Sequence, residues 1–426
     1  MTASIATSQT ILVVGGGISG MTAALEAAEC GRDVVLLERG PTLGGRTALL
    51  YRYFPKMCHP TCGLEINLRR LKGNHRVRVL TMAEVVGIEG QRGAYVAKLK
   101  IRPRYVNESC TACGDCAAAV SAEIPNPYNY GLDQIKVAHL PHAMAYPQRY
   151  VLDPSVIGTA EADKAKAACK VGAIDLAMQE ETVELAVGAV VWATGWKPYD
   201  AAKIQPYGYG RFPNVITSLE FERLADPSGP TGGKLLRPSD GKEAKNIAFI
   251  QCAGSRDENH LRHCSRICCM ASLKQTQYVR EAHGDGAKST IYYIDIRAID
   301  RFEDFYQMVQ RDSTVGFVKS KVARIAVADN GDPILHGVDT EGYHRYATAH
   351  DLVVLAVGME PESNGIKLPG DLITDSSGFI EGTPDGGMCG AGSASGPLDV
   401  NRSVQSSTGA ALRAIKVIYQ TAREEA

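Results

Sequence analysis

Residues 10–40, TILVVGGGISGMTAALEAAECGRDVVLLERG, constrain the fold more than any other part of the chain. Ile11–Val14 are apolar throughout and predict a buried strand. Gly15, Gly17 and Gly20 follow in G-x-G-x-x-G spacing, then a helix rich in small residues, then a second apolar strand ending at Glu38. The pattern predicts a parallel β-α-β unit and an α/β protein. Gly15 permits the tight turn, and Gly17 lets backbone amides approach a pyrophosphate. Gly20 allows close helix–strand packing, with the helix N-terminus facing the phosphates. Glu38 stands about 20 residues on, where an acid accepts ribose hydroxyls. Strand, glycines, helix, strand and acid in this order predict a dinucleotide site.

A chain of 426 residues is long for one domain and suggests two or three. A formal net charge of -1 argues against the basic face that nucleic acid requires. No apolar run approaches the ~20 residues of a membrane span. The longest, LAVGAVVWATGW at 185–196, reads as a buried strand and turn. The first residues lack a signal-type segment. With its cysteines clustered rather than spread as a disulfide framework, the chain is expected to be cytoplasmic.

Two of those clusters have ligand spacing. NESCTACGDCAAAV (107–120) contains Cys110, Cys113 and Cys116 as C-x2-C-x2-C, the start of a bacterial ferredoxin run. Its fourth position is Val120. A later stretch, AEADKAKAACKVGAIDLAM, ends like a second run at Cys169, with Thr159, Ala162 and Ala165 at its three earlier ligand places. In a two-cluster ferredoxin the last cysteine of each run ligates the other run's cluster. Loss of one cluster would therefore leave Cys110, Cys113, Cys116 and Cys169, one complete [4Fe-4S] set; zinc is the alternative. In HCSRICCM (263–270), Cys264 and Cys268 are four apart, a spacing that predicts one shared face of a helix. Cys269 points about a quarter-turn away, and Cys252 lies shortly upstream. A second [4Fe-4S] cluster, a zinc site, or buried thiols beside a vicinal pair would each suit these four.

Further motifs resemble those of flavoproteins with two dinucleotide-binding domains. Gly44, Gly45 and Arg46 resemble the loop on the second phosphate side, and Ala193-Thr194-Gly195 ends a strand as in the second signature of that group. Near the end, Gly390 and Gly392 resemble the third signature, before a helix expected near Ser403. The usual acid after the last glycine is Ser393 here, and Val85 is included in the expected cofactor set. The resemblance implies FAD. A second Rossmann-like domain is expected at 246–357, yet its first strand runs into QCAGSRDE rather than a glycine fingerprint, so a nicotinamide site is not expected there.

The stretch QCAGSRDENHLRHCSRICCMASLKQ, with these signatures, resembles the iron–sulfur flavoprotein (the A-subunit) of heterodisulfide reductase and its shorter relatives in sulfur-oxidising bacteria. The resemblance implies that Cys252, Cys264, Cys268 and Cys269 hold a [4Fe-4S] cluster. It also implies that Lys274 lies beside the flavin; the other reading of Lys274 is a solvated helix lysine. The expected architecture is a thioredoxin-reductase-like α/β flavoprotein. A discontinuous FAD domain takes 8–103, 177–245 and 358–420, with a single-cluster ferredoxin-like insertion at 104–176 and the Rossmann-like domain at 246–357. The expected role is electron transfer within a heterodisulfide-reductase-like complex, with FAD and two clusters, other subunits as partners, and a homodimer. Absence of the further ferredoxin modules of the longer methanogen versions points to the sulfur-oxidation type. The alternatives are a stand-alone NAD(P)H-dependent disulfide reductase using Cys58 and Cys62, and a redox sensor. Cys30 and Cys389 read as core. The aromatic stretch 128–153 reads as a partner or dimer surface.

Overall fold

The computed structural model describes residues 6–364, 368 and 371–424. They form two compact units, one from 1–48, 61–196 and 361–426 and the other from 49–60 and 197–360.

The first unit is built on a seven-stranded sheet. Ile11–Val14 lies inside it, flanked by Ala189–Trp192 and by Val34–Glu38, which continues to Val77–Thr81. Beyond Ala189–Trp192 comes Met388–Gly390, and these five strands are parallel. Ile380–Gly382 and Ile373–Thr374 extend the edge antiparallel. All four residues of Ile11–Val14 are buried, as expected for a strand covered on both faces. Successive side chains point to opposite faces. Ile11 and Val13 meet Met21 and Leu25 of the helix Ile18–Glu29 and Ala410, Ala414 and Ile418 of the helix Val400–Glu424. Leu12 and Val14 meet Ala97, Leu99, Leu185 and Val187 of a three-stranded antiparallel sheet, Ala83–Gln91, Ala94–Ile101 and Glu181–Val187. The result is a helix layer, a parallel sheet and a smaller sheet, stacked in that order.

Residues 104–176 branch from this frame with a small core of their own. Val106 pairs with Ile174, so the insertion begins and ends at one place. Its helices Asp115–Ala119 and Ala160–Ala168 pack through Cys116, Val120, Ala162 and Ala165. The buried Arg104 ties the insertion down. Its guanidinium donates to the carbonyls of Tyr150, Arg149 and Pro41, at 2.9, 2.8 and 2.7 Å. Tyr146 also accepts from the Leu43 amide.

The second unit has a five-stranded parallel sheet in the order Val215–Thr217, Leu352–Val357, Asn246–Ala253, Lys288–Tyr293, Val315–Lys319. On one face Phe249 meets Phe221 of the helix Ser218–Ala225, ring centroids 5.6 Å apart. The helix Cys268–His283 packs on the same face through Tyr278, which stacks on Phe221. On the other face Ala248, Ile250 and Val353 pack with Ile325 and Leu335 of an antiparallel sheet, Arg324–Val327, Pro333–Asp339 and His344–Ala349. The boundary differs from the sequence expectation, which ran the FAD domain to residue 245. Val215–Thr217 hydrogen bonds along Leu352–Val357, and Tyr51 donates its amide to Glu222, so 197–245 and 49–60 are held by the second unit's sheet and helices.

His350, 1 % exposed, is held between the Tyr292 hydroxyl (3.0 Å) and Asn246 Oδ1 (3.1 Å). Burial lowers its pKa to about 4, against about 6.5 for a free histidine. Between those values the unfolded chain binds one more proton than the folded one, so stability falls as pH drops. Urea unfolding at pH 7 and pH 4 should show a loss of up to about 3 kcal/mol from this group. That part of the pH dependence should vanish in His350→Gln, which has nothing to protonate. An unchanged pH dependence in the variant would contradict the assignment.

Candidate functional site

In the first unit the glycine loop is a cradle that side chains would fill. Gly15 has φ +111°, and a Cβ there would lie 2.3 Å from the Ala193 carbonyl oxygen. A Cβ on Gly20 would lie 1.7 Å from the Gly15 carbonyl oxygen, which is why strand and helix can cross so closely. Gly392 (φ +59°) would collide with Ser19. Gly17 differs. It precedes the helix Ile18–Glu29 in ordinary extended backbone, and the nearest atom to its missing Cβ is 3.9 Å away. That open side, at a helix N-terminus, is where an anionic phosphate would be received. Gly17 pairs with Gly44, which brings the second loop alongside, and Gly45 (φ +56°) passes Gly17 so closely that a Cβ would lie 2.9 Å from its Cα.

Glu38 bridges the loop, accepting the Gly16 amide at 2.8 Å and the Gly40 amide at 2.6 Å. Burial raises its pKa, against the pull of those two amides. Arg46 donates to the Trp196 carbonyl and reaches Glu362 at 3.1 Å. Arg39 holds the same carboxylate at 2.9 Å. Sequence reasoning missed Glu362, which has no motif around it. Ala193 donates its amide to Val14, and Gly195 adopts φ +76°. The Thr194 hydroxyl between them is buried and unpartnered. A buried hydroxyl without a partner costs about 1–3 kcal/mol, so a cofactor group that bonds it would fit this place. Val85 is half-buried against the core between the two sheets. Ser393 bonds within the chain, to Ser403 at 3.3 Å and the Leu398 carbonyl at 3.5 Å. The last helix begins at Val400 rather than near Ser403, because Asp399 accepts the Arg402 amide as its cap.

The insertion at 104–176 gathers its thiols across a long stretch of sequence. The buried Cys116 thiol is pushed up to about 11 by burial first, then by Cys110, Cys169 and Cys113. Cys169 follows the helix Ala160–Ala168, and its sulfur accepts the Ala173 amide at 3.2 Å. Ala162 and Ala165, at two of the places a second cluster's cysteines would take, are fully buried beside Val120. Small apolar side chains fill that space.

In the second unit Cys268 and Cys269 are the first two residues of their helix, so Cys264 lies in the loop before it and does not share a helical face with Cys268 as the four-residue spacing predicts. Burial, then the neighbouring thiols, hold Cys268 well above the ordinary thiol range; burial above all pushes Cys269 up to about 12. Cys252 and Cys264 are among those neighbours. Cys252 takes φ +56° at the end of its strand and is raised by burial, against the nearby Arg256. As free thiols, Cys252, Cys268 and Cys269 would stay protonated. A metal centre supplies the positive charge that makes them thiolates. Among the described residues no three His, Cys, Asp or Glu side chains converge as they would on a single ion. A cubane spreads its four thiolates over four irons, so its ligands stand farther apart than those of a single ion.

Where a nicotinamide fingerprint would turn, Gly254 (φ +72°) has the Tyr199 ring 2.3 Å from its missing Cβ. Tyr199 is held there by His260 at 2.8 Å. Lys274 is buried, paired with Glu222 at 2.9 Å and bonded to the Arg52 carbonyl at 2.7 Å. The solvated reading of this lysine is thereby excluded. Glu222 also accepts from Tyr51, Gln275 and Tyr278. Cys58 is half-buried, Cys62 is exposed, and Cys30 is exposed rather than in the core; Cys389 is buried. Part of the aromatic stretch is spent inside the chain, since Tyr146, Arg149 and Tyr150 bind Pro41–Leu43 and Arg104.

These arrangements agree with what the chain resembles. Residues 10–61 match the family model for FAD dependent oxidoreductase. The iron-sulfur A-subunit of CoB--CoM heterodisulfide reductase from Methanocaldococcus jannaschii is 38 % identical over 94 % of this chain and 63 % of its own length. The A-subunit of the ferredoxin:CoB-CoM heterodisulfide reductase from Methanosarcina mazei is 35 % identical over 96 % of this chain and 53 % of its own. By sequence, the chain is homologous to the heterodisulfide reductase A-subunit over nearly all its length. It spans between about half and two thirds of these relatives. The fold is that of the two-dinucleotide-binding flavoproteins. Thioredoxin reductase of T. acidophilum aligns over 97 % of this chain and 99 % of its own at TM-score 0.54 and 14 % identity. That of Lactococcus lactis covers the same shares at 0.53 and 15 %.

Gly17→Ala should fold with stability within about 0.5 kcal/mol of the parent, because its Cβ meets nothing, yet purify without flavin. Gly20→Ala should instead lose about 1–3 kcal/mol, because its Cβ meets backbone. Thermal melts and visible absorbance separate the two, and full flavin absorbance in Gly17→Ala would contradict the phosphate placement. Cys169→Ala should lose one cluster's iron although it is far in sequence from Cys110–Cys116, whereas Cys30→Ala should keep all its iron. Full iron and an unchanged EPR spectrum in Cys169→Ala would contradict the four-thiol set.

Proposed function

We propose that the chain is the FAD- and [4Fe-4S]-containing electron-transfer subunit of a heterodisulfide-reductase-like complex. The observation that carries this reading is the company of Cys169 with Cys110, Cys113 and Cys116, in one chain with a second group of four thiols and a glycine cradle. A flavin exchanges electrons in pairs and a cubane exchanges them singly, so such a chain can join or divide electron pairs for its partners.

In this reading Gly15, Gly17, Gly20, Gly44, Gly45 and Gly392 admit the cofactor's backbone-facing parts. Glu38 orients the loop amides, Arg46 and Glu362 close the second loop, and Thr194 bonds the buried cofactor. Cys110, Cys113, Cys116 and Cys169 ligate one cluster, and Cys252, Cys264, Cys268 and Cys269 the other. Burial of Cys116, Cys268 and Cys269 excludes water from those three thiols. Lys274, a positive charge fixed by Glu222, is the residue proposed to lie toward the flavin. Thiol or disulfide chemistry belongs to partner subunits, and two copies of the chain associate. The setting proposed for the complex is sulfur oxidation, on the sequence resemblance alone. Twelve free cysteines support a reducing, cytoplasmic location. No helix among the described residues is long and apolar enough to cross a membrane.

Tyr199 packed at Gly254 leaves little room for a nicotinamide dinucleotide's pyrophosphate. Stopped-flow mixing of the oxidised protein with NADH or NADPH should therefore give slow, incomplete flavin bleaching. Rapid stoichiometric bleaching would favour the stand-alone disulfide reductase instead.

A further inference from the structure

Gln251 lies on the strand Asn246–Ala253, on the same face as Phe249, and is only 5 % exposed. A buried side-chain amide is expected to have partners for both its oxygen and its NH2 group. Here Oε1 lies 3.4 Å from Cys269 Sγ, and Nε2 has no partner. That arrangement suits a protonated thiol, which can donate to Oε1. It does not suit a thiolate, which only accepts, and against which a carbonyl oxygen is repelled. Oxygen and nitrogen of a glutamine amide exchange places by a half-turn about the last side-chain bond. After that turn the unpartnered NH2 group faces the sulfur and donates to it. The surroundings supply further donors to the same thiols. The Arg297 amide bonds Cys269, and Arg256 bonds Cys252 while pairing with Asp295. Gln251 is the neutral, fully buried member of this set, with no other bond to give up.

We propose that the Gln251 side-chain amide donates an N–H···S hydrogen bond to the Cys269 thiolate and so raises the reduction potential of the cluster assigned to the second unit. This rests on that cluster assignment. Hydrogen bonds to cluster sulfurs are among the determinants of potential. An added electron increases the negative charge on the sulfurs, so a donor stabilises the reduced form more than the oxidised one. Gln251 is a positioning and tuning residue; it is not a ligand.

The test is an EPR-monitored redox titration of the anaerobic protein, with the second-unit signal identified as the one retained in Cys169→Ala. Gln251→Met keeps the length and removes the donor, and should lower the potential. The ratio of reduced to oxidised cluster at a fixed potential should fall about tenfold, which for one electron is 59 mV. Gln251→Leu, which also removes the donor, should lower it likewise. Unchanged potentials in both variants, with iron content intact, would overturn the proposal. If the variants lose the cluster, the unaltered protein decides. With 15N confined to glutamine side chains, the reduced cluster should show one resolved 15N hyperfine coupling, and its absence would overturn the proposal. A Cys269→Ala variant that keeps all its iron would overturn the cluster assignment itself, a failure distinct from an unshifted potential.

Discussion

The closest approach in the first unit is between backbone atoms. At Gly20 the first helix passes so near the turn after the first strand that a single methyl group would sit within bonding range of the Gly15 carbonyl oxygen. The same economy recurs where Gly15 meets Ala193 and where Gly392 meets Ser19. These contacts draw three strand ends and two helices onto one point, and everything said of the cradle depends on them. Because no side chain stands there, amides and a helix N-terminus are left to face whatever anion arrives.

The second unit uses the same end of a parallel sheet differently. Its helix also begins close to the end of a central strand, but the first two residues are Cys268 and Cys269 instead of a glycine turn. A helix N-terminus stabilises negative charge whatever its source. Thiolates of a cluster can thus benefit from a position that elsewhere favours pyrophosphate. Tyr199 and His260 take up the space at Gly254.

Much of this could be read from residue order. The glycine spacing, the apolar strands and Glu38 each act locally, so their neighbours in sequence are their neighbours in space. That Cys169 lies near Cys116 agrees with an expectation drawn from residue order alone, even across the long stretch between them. The unit boundary was harder. Nothing in the residues 197–245 announces that Val215–Thr217 pairs with Leu352–Val357, since strand partners distant in sequence leave no local mark. Glu362, Arg104 and Gln251 were missed for the same reason, as each acts through partners far along the chain or through an unsatisfied atom. Cys30 was read as core from its apolar helix, yet it caps the C-terminus of that helix and is exposed.

The central proposal is that the eight clustered thiols hold two separate [4Fe-4S] clusters in a chain that also holds one flavin. The most direct measurement is iron, acid-labile sulfide and flavin analysis of protein prepared and kept without oxygen, with Mössbauer spectra of 57Fe-labelled material. The account predicts about eight irons and eight sulfides per FAD, all in cubane form, from two four-thiol sets. Zinc in place of iron, or about four irons per FAD in fully loaded protein, would contradict it.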